Sequence, residues 1–285
     1  MEIGKDFANI GSYNANMRKG MEDKLFFLNK INLSKSIKTI YVDFGCADGS
    51  LINTMCSIAP KKEKYSYQDI YVGYDISDTM INFAKTNFDQ VQTSDKIVFT
   101  SKWKEVEEIL KNEKYATKIL ILSSVIHEVY SYGTKKDISE FWDRVLNSGF
   151  DYICVRDMMV SENYNQSETT YGPSSLRNSI KNNGLISIDT LNEFENKWGS
   201  IEKSKKNYLH FLLKYRWQVN WDRELNENYF PITIEEFLSK LNKKYNINYF
   251  ERFYVPFLRD CINKDFGIEL EKIGYTHIKG IFELK

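Results

Sequence analysis

Residues 39–49, Thr39-Ile40-Tyr41-Val42-Asp43-Phe44-Gly45-Cys46-Ala47-Asp48-Gly49, decide the fold. The first six are β-branched and aromatic and read as a strand. Small residues at 45, 47 and 49 then let the backbone turn tightly and approach a ligand where a helix opens over 51–58. Downstream the same alternation repeats. A second strand (70–74) precedes a helix over 79–87, capped by Ser77 or Asp78, and a third strand (96–100) precedes a helix over 104–111. The run 118–123, KILILS, is almost wholly apolar, as suits a central strand covered on both faces. A helix over 138–146 and a strand over 152–156 follow. Strand and helix thus alternate five times, which predicts a doubly wound, mostly parallel α/β sheet.

Beyond this stretch the pattern changes. Residues 160–230 hold two or three helical stretches and no clear strand. The end returns to type, with a helix over 234–245 and strands over 248–255 and 276–284 that pair antiparallel at the sheet edge, for seven strands in all. Met17, Met21, Leu25 and Leu28 are spaced for an amphipathic helix over 13–31. The expected organisation is an N-terminal helical segment (1–35), an α/β domain (36–159 and 231–285) and a mostly helical insert (160–230).

The 285 residues suffice for a large core, and a hydrophobic fraction of 42% marks a globular chain. Thirty-nine basic and thirty-nine acidic residues cancel, so no whole-molecule field draws the chain to nucleic acid or anionic lipid. Cys46, Cys56, Cys154 and Cys261 show no CxxC spacing and no partnered His cluster, so neither a metal site nor a disulfide framework is expected. No signal-like start and no 18-residue apolar run occurs, which points to a cytoplasmic protein without a membrane span.

The charge on the glycine turn narrows its ligand. A dinucleotide loop of the G-x-G-x-x-G kind offers bare N–H groups to phosphate. Here the small residues alternate strictly and two carboxylates, Asp43 and Asp48, belong to the loop. At an effective dielectric near 20, a carboxylate about 5 Å from a phosphate charge costs roughly 3 kcal/mol. The loop therefore disfavours a pyrophosphate and suits S-adenosylmethionine (SAM), which is cationic at its ammonium and its sulfonium. At the tip of the second strand, Asp75 is placed to accept hydrogen bonds from ribose hydroxyls, with Ile76 and Met80 beside the adenine.

DFGCADGS (43–50) followed by GYDISDTM (73–80) resembles motifs I and II of the class I SAM-dependent methyltransferases. The resemblance covers roughly 39–158 and returns at 231–285. It implies SAM as cosubstrate, held by Asp43, Gly45, Cys46, Ala47, Gly49, Asp75, Ile76 and Met80. Two departures stand out. Ala47 replaces the middle glycine, and Ser101-Lys102-Trp103 follows the third strand where the family often has an acidic residue on adenine. Lys102 and Trp103 are expected at the base instead, Trp103 by stacking. By analogy with similar enzymes, 13–18 is expected to act as a lid over the cosubstrate.

In similar methyltransferases the edge after the fourth strand, here Ser123-Ser124-Val125-Ile126-His127-Glu128, faces the sulfonium and the acceptor. Ser123 is therefore a cosubstrate contact and His127 a candidate base, titrating near neutrality. The plainer reading has His127 begin the next helix and pack. Arg156, after the fifth strand, is the second catalytic candidate, with a surface ion pair as its plain alternative. The sequence carries no N/D-P-P-Y motif and no Pro-Cys pair, so DNA amino and cytosine-C5 methylation are set aside.

The leading expectation is methyl transfer to an O, N or C atom of a small-molecule acceptor. RNA or protein is the alternative acceptor, docked on the aromatic and basic stretch 208–224. There Tyr208, Phe211, Leu212, Tyr215 and Val219 share a helical face, with Lys214, Arg216 and Arg223 elsewhere. A silent Rossmann-like interaction module and a dehydrogenase complete the alternatives.

Overall fold

The computed structural model describes residues 21–34, 36–58, 69–88, 96–165, 168–169 and 171–285. Strands β1 (Thr39–Phe44), β2 (Ile70–Tyr74), β3 (Lys96–Thr100), β4 (Thr117–Ser123), β5 (Tyr152–Met158), β6 (Tyr245–Phe253) and β7 (His277–Leu284) form one sheet in the order β3-β2-β1-β4-β5-β7-β6. Strand β1 is parallel to β2 and β4, β2 to β3, and β4 to β5. The last strand is reversed. Leu284 N–H reaches the Asp151 carbonyl before β5 begins, whereas Met159 N–H reaches the Thr276 carbonyl after β5 ends. β7 is antiparallel to β6 as well, because Thr276 pairs with Phe253 and Lys285 with Lys244. The expected fold class, a doubly wound mostly parallel seven-stranded sheet with a reversed last strand, is the one observed.

The order reverses direction on either side of β1, so a crevice opens beyond the carboxyl ends of β1 and β4. The register fixes what borders it. Asp43 stands level with Gly73 and Ile121, Phe44 with Tyr74 and Leu122, and Ser123 with Arg156.

The chain divides into two compact units. The first comprises Met1–Arg156, Lys244–Tyr249 and Gly280–Lys285. Its helices are α1 (Ser50–Ile58), α2 (Asp78–Phe88), α3 (Trp103–Asn112), α4 (Ile126–Tyr132) and α5 (Lys135–Asn147). All six residues of β1 are buried, and Ile119, Leu120, Ile121 and Leu122 of β4 are at most 1% exposed, as a parallel sheet covered on both faces requires. Helix α5 opens on a reciprocal cap in which the Thr134 hydroxyl accepts from the Asp137 N–H and the Asp137 carboxylate accepts from the Thr134 N–H.

Residues 13–20, and with them the expected lid, lie outside the described residues. From Met21 on, the single helix expected there is corrected. Met21–Lys24 is one α-helical turn and Phe26–Asn29 one 3-10 turn. The run Leu25-Phe26-Phe27-Leu28 is apolar without a 3.6-residue stripe, and the break lets Leu25, Phe27 and Ile31 all be buried.

The second unit comprises Asp157–Lys243 and Phe250–Lys279. It holds α6 (Pro173–Asn183), α7 (Ile188–Trp198), α8 (Lys205–Lys214), α9 (Trp221–Asn226), α10 (Ile234–Leu241) and α11 (Pro256–Phe266). Its core gathers Leu176, Leu191, Phe194, Tyr208, Phe211, Leu212 and Phe230. The helix read through 208–224 ends instead at Lys214. The Lys214 amine donates to the carbonyls of Glu224 and Glu227, while the Trp217 indole and the Gln218 amide satisfy the carbonyls of Leu213 and Tyr215. Lys214 is therefore buried and Val219 is 90% exposed, the reverse of the expected faces. The described part of 160–230 accordingly carries four helices rather than two or three.

Candidate active site

The turn after β1 is built from its backbone. Gly45 (φ 80°) and Ala47 (φ 45°) take left-handed conformations, and the N–H groups of Gly45 and Cys46 both donate to the Tyr74 carbonyl. A Cβ on Gly45 would stand 2.8 Å from Val125 Cγ2, so this position requires glycine for space as well as for φ. Asp75 closes the turn: its Oδ2 accepts from Ala47 N–H at 3.0 Å and its Oδ1 from Ser77 N–H at 2.9 Å. Burial raises the pKa of Asp75, and these two N–H donors work against the rise.

A cavity of 340 Å³ opens above the turn, within the range of about 300–1,000 Å³ usual for small-molecule sites. Gly45, Ala47, Asp75, Ile76, Met80, Trp103 and Ser123, all singled out from the sequence, line it together. One wall is aromatic. Phe44 lies 4.9 Å from Tyr74, 5.3 Å from Trp103 and 5.2 Å from Phe141 between ring centroids. The Arg144 guanidinium covers the Trp103 ring at 5.6 Å and donates to the Tyr74 hydroxyl at 3.1 Å. Trp103 Nε1 and Ser123 Oγ are both buried without a hydrogen-bond partner among the described residues.

A second, smaller cavity of 20 Å³ adjoins the first through Gly45, Ala47 and Ser123, which line both. Asp43, Cys46, Asp48, Ser50 and Lys24 also face it. Burial, reinforced by Asp75 and Asp48, pushes Asp43 up to about 7 against the pull of Lys24. Burial, helped by Arg156, brings Lys24 down to about 8. Burial also pushes the Cys46 thiol well above its ordinary value, which keeps it protonated and unreactive.

Four of the residues expected at the site do not line either cavity. Gly49 (φ 74°) serves packing, since a Cβ there would meet the Phe99 ring at 2.9 Å. The Lys102 side chain is 76% exposed and faces Glu105 at 3.7 Å. His127 is buried on α4, and its neighbour Glu128 lines the cavity in its place. Arg156 acts at one remove. Its Nε donates to Asp23 Oδ2 at 2.9 Å and its Nη1 to Ser124 Oγ at 3.1 Å, and Ser124 (φ 58°) lines the cavity.

The sequence reading also missed Phe44, Tyr74, Ser124, Glu128, Asp137, Glu140, Phe141 and Arg144. A signal existed for the last four, since 137, 140, 141 and 144 fall at i, i+3, i+4 and i+7 on one face of α5.

No family model and no curated protein matches the sequence. Solved structures match through their fold. Geranyl diphosphate C-methyltransferase from Streptomyces coelicolor A3(2) superposes with a TM-score of 0.50 at 9% identity, over 93% of this chain and 76% of that one. The cyclopropane synthase MmaA2 from Mycobacterium tuberculosis gives 0.49 at 12% identity, over 93% and 84%. A SAM-dependent methyltransferase from Anabaena variabilis gives 0.48 at 11%, over 94% and 85%. The chain has the seven-stranded Rossmann-like fold of the class I SAM-dependent methyltransferases. Among the described residues no helix is long and apolar enough to cross a membrane.

Proposed function

We propose that the protein is a SAM-dependent methyltransferase that delivers the methyl group to an O, N or C atom of a small-molecule acceptor. The observation that carries this reading is the charge of the site. Asp75, Glu128, Asp137 and Glu140 line the larger cavity against Arg144, and Asp43 and Asp48 line the smaller one against Lys24, so carboxylates outnumber cations in both. Such a site repels a pyrophosphate and attracts a cation.

The residues present fit SAM. Each oxygen of Asp75 spends one lone pair on a backbone N–H and keeps capacity for the ribose hydroxyls. Ile76, Met80, Phe141 and the face of Trp103 offer apolar walls to the base. SAM supplies a methyl carbon on a positively charged sulfur, open to in-line attack.

On the acceptor side we assign Glu128, rather than His127, as the group that takes a proton, because Glu128 lines the cavity. The hydroxyl of Ser124, held by Arg156, orients the acceptor. A small-molecule acceptor is further supported by the fate of the aromatic stretch on which RNA docking would rely. Tyr208, Phe211, Leu212 and Tyr215 belong to the buried core of the second unit.

Thermal unfolding with S-adenosylhomocysteine and with NAD tests the cosubstrate. At a hundred times its Kd, a ligand of the native state adds about 2.7 kcal/mol of stability. Stabilisation by S-adenosylhomocysteine and not by NAD is expected, and the opposite pattern would overturn the proposal. Transfer of labelled methyl to a small-molecule extract, set against transfer to RNA, decides the acceptor class.

A further inference from the structure

Arg156 joins two side chains that lie far apart in sequence. Its Nε donates to Asp23 Oδ2 at 2.9 Å and its Nη1 to Ser124 Oγ at 3.1 Å, while its carbonyl accepts from the Ser124 N–H at 2.8 Å. The Arg156 side chain is 10% exposed and that of Asp23 26%, so the pair is shielded from the solvent that weakens surface ion pairs.

The two partners serve different cavities. Ser124 lines the larger one at φ 58°, a strained position for a residue with a Cβ, and Arg156 grips it by both backbone and hydroxyl. Asp23 belongs to the turn Met21–Lys24, and Met21 and Lys24 line the smaller cavity. Four residues are too few to hold a helical turn by their own hydrogen bonds. The turn rests on α1, Leu25 and Phe27 fix the chain that follows it, and Asp23 ties it to the end of β5.

We infer that Asp23 is a positioning residue that couples the two cavities: through Arg156 it latches the turn over the smaller cavity to the serine of the larger one. Closure of the turn on bound cosubstrate and the setting of Ser124 then occur together. The acceptor is held in register only while the cosubstrate is in place. The inference rests on the SAM reading above and adds an order to binding, cosubstrate before acceptor.

Stopped-flow dissociation of S-adenosylhomocysteine tests the latch, with the melting temperature measured beside it. Asp23→Ala should speed dissociation about 10-fold or more, the worth of a lost hydrogen bond between charged groups. Asp23→Glu restores the carboxylate and should return the rate to within about threefold of the wild type. Asp23→Asn, which keeps the shape and drops the charge, serves if the alanine variant does not fold. Ser124→Ala releases Arg156 at its other end. Combined with Asp23→Ala, it should fall at least about threefold short of the product of the two single effects. Single effects that simply multiply overturn the coupling. A lower melting temperature in Asp23→Ala with a dissociation rate within about twofold of the wild type overturns the latch. A wild-type protein that does not bind S-adenosylhomocysteine overturns the cosubstrate reading itself.

Discussion

The Ala47 N–H donates to Asp75 Oδ2 at 3.0 Å, so the turn after β1 is pinned by the carboxylate at the tip of β2. Ala47 is held at φ 45°, a conformation that costs an L-residue roughly 1–2 kcal/mol, and this bond helps to offset the cost. One side chain thus shapes the turn and lines the cavity. Asp75→Ala should weaken S-adenosylhomocysteine binding by about 1.5–3 kcal/mol, the worth of hydrogen bonds to a charged group. Unchanged affinity by calorimetry would remove Asp75 from the site.

Glu128 and His127 are neighbours on α4, yet Glu128 alone of the two lines the cavity. Glu128→Gln should slow single-turnover methyl transfer by about 10²-fold or more while leaving S-adenosylhomocysteine affinity nearly intact. His127→Ala should act mainly on the melting temperature, as loss of a buried side chain does. A catalytic collapse in the His127 variant with a normal rate in the Glu128 variant would reverse the assignment.

The raised pKa of Asp43, about 7 against an ordinary 3.8, has a definite sign in both stability and binding. The native state holds a proton that the unfolded chain releases between about pH 4 and 7. This group's contribution to stability is therefore full below pH 4 and is lost as pH rises through 7. A cationic ligand favours the ionised carboxylate, so below pH 7 its binding should expel a proton and weaken by up to about tenfold per pH unit. Calorimetry in buffers of different ionisation enthalpy reads that proton directly. Asp43→Asn should flatten the profile, and a slope that survives the substitution would place the titrating group elsewhere.

Ser124 stands at φ 58° with its hydroxyl on Arg156. Ser124→Gly relieves the backbone and removes the hydroxyl. Stability should change by less than about 1 kcal/mol while the acceptor KM rises. Arg156→Met leaves Ser124 and Asp23 without their shared partner and should cost about 1–3 kcal/mol of stability. A KM that stays constant in the Ser124 variant would separate this serine from acceptor binding.

Much of the sheet was legible because its strands announce themselves locally. TIYVDF and KILILS are buried on both faces and read as continuous apolar runs, and Asp43, Gly45 and Asp75 fell where strand ends and a turn demand them. What was missed depends on tertiary context. The helix α11 went unread in the connection between the strands expected at 248–255 and 276–284, although Pro256 at its first turn and Gly267 after its end mark both boundaries. Lys214 looked like a solvent-facing residue because no local rule foresees a lysine buried against carbonyls ten and thirteen residues on. Likewise, the stripe of Asp137, Glu140, Phe141 and Arg144 was visible on its helix, but sequence alone does not say which face meets a cavity.

The reversed strand β7 enters between β5 and β6, so the sheet is finished by a strand that follows both of its neighbours in the chain. Until residues 277–284 have left the ribosome, β6 has no neighbour and β5 keeps one edge bare, its N–H and C=O groups unpaired. A nascent chain with such an open flank invites pairing with other chains, and it cannot complete its hydrogen-bonding in the order of synthesis. Truncations that remove β7 should therefore accumulate as aggregates rather than as smaller folded molecules.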